Sequence, residues 1–327
     1  MNAHSHAFQR ALRGSAGGGD FWTWRESMLE LARGQTPHKV RETYEAVYRE
    51  MLAAGWTAVG EFHYIGFDEA VAAAEAADAA GIELVLLYAA YGRDGLDRFR
   101  QRSAVDYLSQ VEQFRGRGIR VGLAPHSVRA CARDWLEEIG RYNADGELVL
   151  HVHADEQERE IEECVAEHGV RPLELLAETG CLGTRTTIVH ATHADDRELD
   201  LIADAGARVC LCPTTEANLA DGFAPVERLL ERGIGICVGS DSNVRIDPLE
   251  ELREVDGIAR HRTGRRDVLS AGDLLCFGSD EGAAALGVEA WPEVTVDLEH
   301  RSLSGIEESD VPCALVYGCA GDVFLAD

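Results

Sequence analysis

The chain has 327 residues, enough for a large core, and 58 acidic residues against 31 basic ones leave a net charge of −27. That balance argues against nucleic acid or an anionic membrane surface as a partner, and no apolar run approaches the roughly 18 residues of a membrane span. Lys39 is the only lysine, and the nine cysteines follow no CxxC spacing; Cys210, Cys212 and Cys237 sit inside apolar runs and read as small buried thiols in a reducing cytoplasm.

The first motif, His4-Ser5-His6, is preceded only by Met1, Asn2 and Ala3, with no charged-then-apolar leader. A strand usually runs about five or six residues, so by this reading the chain begins inside its first strand. Gly17-Gly18-Gly19 marks a mobile part of the loop that follows. From Trp56 onward short apolar runs alternate with amphipathic stretches. The runs at 57–62, 82–89, 119–124, 148–153, 187–190, 207–212 and 234–239 are continuous, as expected of parallel strands buried on both faces. Six of them are entered through a glycine (Gly55, Gly81, Gly118, Gly146, Gly206 and Gly233), which suits a left-handed helix cap before a strand. Stretches 68–80, 105–114, 132–142 and 158–167 read as helices between them. Seven such strands and an eighth around His4 predict an α/β fold, a (β/α)8 TIM-type barrel of the usual size of about 250 residues or more. The expected division is a barrel over residues 1–286, N-terminally truncated, and a remnant of a small β-sandwich over 287–327, where 292–298 and 314–325 have short strand character.

Acid–base and metal-type groups close these runs. His4 and His6, two apart on a strand, face the same side, here the barrel interior. His153 follows the run 148–152, and Asp241 ends Val238-Gly239-Ser240-Asp241. Three imidazoles and a carboxylate, with room for water, form an open catalytic metal site rather than a closed structural one. A lone HxH is a weak signal, and each histidine alone is more often structural; the ordered set at strand ends reverses that balance. Glu156, just past His153, is placed as a general acid/base, although without His153 it reads as a surface residue of the run Asp155-Glu156-Gln157-Glu158. His190 is the second group for proton handling. His193 reads as an outer or surface group, and His151 as structural, deeper in the barrel. Related binuclear hydrolases bridge two metals with a carboxylated lysine. With Lys39 in a helical stretch and the fourth strand ending in Pro125-His126-Ser127, one divalent ion is expected, zinc by preference.

Six blocks sharpen this into a family resemblance: His4-Ser5-His6-Ala7-Phe8-Gln9-Arg10-Ala11, Phe21-Trp22-Thr23-Trp24-Arg25-Glu26, Glu61-Phe62-His63-Tyr64, Ala124-Pro125-His126-Ser127-Val128-Arg129, His190-Ala191-Thr192-His193-Ala194-Asp195 and Thr214-Thr215-Glu216-Ala217-Asn218-Leu219. Together, over residues 1 to about 285, they resemble the N-formimino-L-glutamate deiminases of histidine degradation, in the mononuclear deaminase branch of the amidohydrolase superfamily. The resemblance implies hydrolysis of N-formimino-L-glutamate to N-formyl-L-glutamate and ammonia, with Zn2+ held by His4, His6, His153 and Asp241. Glu156 would then move a proton to the imino nitrogen, with His190 and Asp241 activating water and stabilising the tetrahedral adduct. A dicarboxylate substrate needs local positive charge in so acidic a protein; Arg129 is the best carboxylate fork, with Gln9, Arg25, Tyr64 and His126 as further substrate-binding positions. Arg25 has an alternative reading as a loop arginine stacked on Trp22 or Trp24. Two rival functions are a zinc deaminase of a heterocyclic amine of purine or pyrimidine type, and an inactive truncated barrel. A homodimer is compatible with such a chain.

Overall fold

The computed structural model describes residues 1–14, 18–289 and 292–325, so Gly17 of the glycine run and the segment at Ala290 and Trp291 lie outside the described residues. Eight strands form one parallel sheet in sequence order: β1 (Asn2–Ser5), β2 (Ala58–His63), β3 (Glu83–Ala90), β4 (Val121–Pro125), β5 (Leu150–Ala154), β6 (Thr186–His190), β7 (Arg208–Leu211) and β8 (Gly235–Val238). Each predicted run falls on a strand to within two residues at either end. The predicted helices are present as Phe67–Ala80, Ala104–Gly116, Arg133–Tyr142 and Glu158–His168. All six strand-entry glycines have positive φ, and Gly81 and Gly206 are left-handed C-caps, a conformation that costs a residue with a Cβ.

Strands β2 to β6 are buried almost throughout because helices cover the outside of the sheet while side chains fill its interior. Beneath the site the interior is lined by Ala3, Val189, Cys210, Cys212, Cys237 and Ala285. Small side chains suit this floor: Ala285 belongs to the helix Asp280–Leu286, which packs under β1 and β8. All nine cysteines are free thiols, seven of them buried. Among the described residues no helix is long and apolar enough to cross a membrane.

β1 is short but not frayed. All four of its residues are buried, and it pairs in parallel with β2. On its other side the sheet has no ladder to β8; the seam is closed by one bridge, Ser5 to Asp241, with His6 N–H donating to Asp241 O at 2.7 Å and Asp241 N–H to His4 O at 3.0 Å. Although the chain is expected to begin inside its first strand, His4 and His6 are held in place: two neighbours engage the strand although it is brief. Gly239 permits this closeness, since a Cβ there would lie 2.6 Å from His4 O and 2.8 Å from His4 Cβ.

The small β segment expected at the C-terminus is present, with less of it extended than the sequence suggests. The run 292–298 contributes only β9 (Thr295–Val296), which pairs antiparallel with β10 (Phe324–Leu325). Residues expected to be extended from 314 instead form most of the helix Val311–Gly318, whose Leu315 and Val316 turn inward. Pro312 is compatible with this: proline is accommodated in a first helical turn, where its missing N–H has no partner to lose.

The seam makes a paired prediction. Gly239→Ala should lower stability by about 1–3 kcal/mol, because the added methyl meets backbone that cannot move freely. Gly257→Ala lies within the helix Pro248–Thr263 with open space around it, and should raise stability by about 0.5–1 kcal/mol. Denaturant midpoints of the two variants measure both signs.

Candidate metal centre and active site

His4, His6, His153 and Asp241 come from β1 and its end, β5 and the turn after β8, and each offers a ligand atom within 4.8 Å of the others. Their Nε2 atoms face one another: His4 to His6 at 3.2 Å, His4 to His153 at 3.1 Å and His6 to His153 at 3.4 Å. Asp241 Oδ1 lies 3.4 Å from His4 Nε2 and 3.3 Å from His6 Nε2.

The orientation of two rings is set by backbone. His6 Nδ1 lies 2.8 Å from Phe62 O, and His153 Nδ1 lies 2.9 Å from His126 O. A carbonyl only accepts, so the proton sits on Nδ1 in each ring and, in the neutral imidazole, Nε2 presents a bare lone pair. Burial lowers the pKa of all three histidines, His4 to about 3, which keeps them neutral. Burial alone would raise Asp241, but its histidine neighbours His4, His6 and His190 outweigh it and hold the carboxylate ionised. Converging lone pairs and a buried carboxylate repel one another unless a cation lies between them. The donor set fits a divalent ion that accepts both nitrogen and oxygen, zinc being the common case.

Around this centre the strand ends carry the remaining groups. His190 ends β6 with φ of 76°, Asp241 follows β8 with φ of 42°, and Asp155 follows β5 with φ of 54°. Left-handed backbone at such residues is strained, and strain of this kind concentrates where a side chain must be aimed. His190 Nδ1 is anchored on Glu216 Oε1 at 3.2 Å, while its Nε2 has no hydrogen-bond partner and lies 3.7 Å from Glu156 Oε1 and 3.9 Å from Asp241 Oδ2. Burial works against a charge on His190, but the carboxylates of Glu156, Glu216 and Asp241 prevail and raise it to about 10. Glu156 is buried, not a surface residue of an acidic run, and that burial pushes its carboxyl up against the pull of His190 and Arg129.

The helix Phe21–Arg33 covers the mouth. Asp20 caps it by accepting from Thr23 N–H at 2.9 Å, and the spacing Phe21, Trp24, Arg25 and Met28 turns one face to the pocket. Arg25 is thus helical rather than on a loop, and it pairs with Asp94 at 2.7 Å; the arginines over the Trp22 ring are Arg129 and Arg159. Gln9 Nε2 donates to Tyr64 Oη at 2.8 Å, leaving Gln9 Oε1 buried without a partner. His126 stands in the wall beside His153 and Tyr91. Arg129 is largely buried; its nearest carboxylates, Glu160 and Glu156, are 3.6 and 3.8 Å away, and its Nε has no hydrogen bond.

Every site position expected from the sequence borders this one cavity, apart from His4, which lies in its floor among the ligand atoms. His151 lies deeper and contacts Ala285 O at 2.9 Å, and His193 is half-buried to one side. Two contributors were missed: Tyr91 after β3, and Glu216, in the helix Pro213–Leu219 after β7. A ring of eight strand ends with none assigned at the third and seventh was the available signal.

The sequence matches the model of the Amidohydrolase family over residues 1–290. It is 36% identical over 314 residues to formimidoylglutamate deiminase of Pseudomonas aeruginosa, covering 87% of this chain and 69% of that protein. It is 30% identical over 297 residues to 5-methylthioadenosine/S-adenosylhomocysteine deaminase of Haloarcula marismortui, covering 89% and 68%. Among solved structures, an amidohydrolase from Brucella melitensis superposes with a TM-score of 0.85 at 31% identity, over 99% of this chain and 83% of the other. A zinc-bound adenosine deaminase from Xanthomonas campestris shares the fold, with a TM-score of 0.88 at 24% identity over 99% and 76%.

Chelator-treated protein should gain thermal stability when a divalent ion is added, by about 4 kcal/mol at a thousandfold excess over Kd. His6→Ala should lose most of that gain. A melting curve unmoved by the ion would show that these four groups hold none.

Proposed function

The chain belongs to the amidohydrolase family, and we propose that it hydrolyses N-formimino-L-glutamate to N-formyl-L-glutamate and ammonia with one zinc ion. The observation that carries this reading is Arg129, a buried guanidinium in the pocket wall with no carboxylate within hydrogen-bond distance. Glu160 and Glu156 balance its charge at ion-pair range but leave hydrogen-bond donors open, and a planar fork suits an entering carboxylate. The 36% identity to a formimidoylglutamate deiminase supports the same substrate. A neutral purine nucleoside such as methylthioadenosine offers Arg129 no such partner, and S-adenosylhomocysteine, which the name of a 30%-identical relative also includes, offers one carboxylate rather than two.

Zinc held by His4, His6, His153 and Asp241 would supply a polarised water of lowered pKa. Arg129 takes one substrate carboxylate, and Arg25, freed in part from Asp94, is the second cation at the same pocket. Gln9, Tyr64 and His126 flank the chain between them. With the formimino carbon over the centre, Asp241 accepts from the attacking water and so orients it, while the free Nε2 of His190 donates to the developing negative charge. Glu156 accepts a proton from water as oxygen bonds to the carbon, and delivers it to the imino nitrogen. As the tetrahedral adduct collapses, its hydroxyl proton passes through Glu156 to that nitrogen, the C–N bond breaks, ammonia leaves and the formyl C=O remains. Glu216, through Nδ1, keeps His190 in the orientation this needs.

Glu156→Gln should lower kcat on the order of 100-fold or more with metal content near that of the parent protein. Arg129→Met should act mainly through kcat/KM. Ammonia release from N-formimino-L-glutamate and from 5′-methylthioadenosine, with metal analysis at one equivalent per chain, distinguishes the readings. Turnover of the nucleoside alone, or full turnover by Arg129→Met, contradicts the dicarboxylate substrate; two equivalents of metal at full activity contradict the mononuclear centre.

A further inference from the structure

The seam between β1 and β8 lacks a ladder, yet these two strands carry three of the four groups that face one another: His4 and His6 on one side and Asp241 on the other. Small errors in seam spacing would displace ligand atoms directly. What spans the gap is a run of buried polar side chains. Asn2 Nδ2 donates to Ser240 Oγ at 2.6 Å, Ser240 Oγ to Asn243 Oδ1 at 2.6 Å, Asn243 Nδ2 to Ser5 Oγ at 3.0 Å, and Ser5 Oγ to Glu61 Oε2 at 2.9 Å. The donors all point one way and end on a carboxyl group, whose Oε1 also accepts Ala7 N–H at 2.8 Å. Asn2, Ser5, Glu61, Ser240 and Asn243 are all fully buried.

The run brackets the ligands at each step. Ser5 lies between His4 and His6, and Ala7 follows His6, so Glu61 holds the Ser5 side chain on one side of His6 and the Ala7 backbone on the other. Ser240 precedes Asp241; its N–H donates to Asn2 Oδ1 at 3.0 Å. Asn243 also donates to Asp241 O at 3.0 Å, the carbonyl that accepts His6 N–H across the seam. Asn243 has φ of 56°, a left-handed conformation that asparagine tolerates better than most residues.

We propose that Asn243, acting through Ser5 and Glu61, is a positioning residue that sets the spacing of His4 and His6 against Asp241 and so the affinity and geometry of the metal centre. Side-chain hydrogen bonds here replace the missing backbone ladder. Because consecutive bonds polarise one another in a dry interior, loss of one link weakens the rest. The inference rests on the reading of His4, His6 and Asp241 as ligands, and its test uses no substrate.

The measurements are zinc affinity by competition with a chromophoric chelator and the visible spectrum of the cobalt(II)-substituted protein. Asn243→Gly removes the amide without opposing the left-handed backbone. It should weaken zinc binding by about 10- to 100-fold, the usual effect of losing a group that orients a ligand, and alter the cobalt bands, while the metal-free protein still unfolds cooperatively. Ser5→Ala should do the same, and the double variant should lose little more than either single one, because both break one run. Thr186→Val, which deletes hydrogen bonds to Cys181 O and from Gly183 N–H at the far end of β6, should lower the melting temperature and leave zinc affinity and the cobalt spectrum unchanged. If Asn243→Gly fails to fold, Ser5→Ala decides alone. Zinc affinity and cobalt bands like those of the parent in the seam variants overturn the proposal, as does an equal loss of affinity in Thr186→Val. Unimpaired binding by His4→Ala instead overturns the ligand reading itself, and the inference with it.

Discussion

Two backbone carbonyls govern the chemistry of this protein. Phe62 O and His126 O each engage the Nδ1 of a histidine on a neighbouring strand, His6 and His153, and thereby turn a lone pair of each ring toward the centre. Both carbonyls sit at a strand's C-terminal end, so ring orientation is inherited from sheet register rather than from side-chain packing. A shift of one residue in β1 against β2 would send His4 and His6 to the other face of the sheet. The parallel order of the sheet, the closeness at Gly239 and the anchoring of His190 on Glu216 all serve the same convergence.

A second constraint is charge. The acidic groups around the cavity are not solvated: Glu156, Glu160, Glu216 and Asp241 are buried alongside His190 and Arg129. Isolated carboxylates in such a place are strongly penalised, and what makes them tolerable is the opposite charge within a few ångströms. His190 shows the balance, since its neighbours raise its pKa to about 10 against its burial. Arg129 shows the complement: it stands beyond hydrogen-bond distance of both carboxylates and keeps donor capacity for something that enters the cavity. Arg25, held at 2.7 Å by Asp94 on the rim, is committed before anything enters. The two arginines therefore differ at rest: one has an open donor, the other is already paired.

Much of the fold and of the site could be read from the residues. The strand runs are apolar on both faces, and their entry glycines occupy the left-handed region, so the repeating βα unit followed from local chemistry. His4, His6, His153, Glu156, His190 and Asp241 were legible because each closes a strand, where a parallel barrel collects its functional groups. Arg25, by contrast, read equally well as a stacked loop residue; its ion pair with Asp94 joins residues 69 positions apart. The segment from 314 read as extended for a similar reason: a short apolar run has no periodicity to separate strand from helix, and its packing against the rest of the chain decides.

The sequence by itself determined the elements, their parallel order and the kinds of group gathered at the strand ends, because these depend on local backbone preference and on apolar patterning within a few residues. Only the tertiary structure decided how the ends of β1 and β8 meet. Asn2, Ser5, Glu61, Ser240 and Asn243 are individually ordinary polar residues, and Asn2 and Ser240 lie 238 positions apart. Their hydrogen bonds exist only once the barrel brings the first strand to the last, since directional contacts between distant groups leave no periodic trace in the chain.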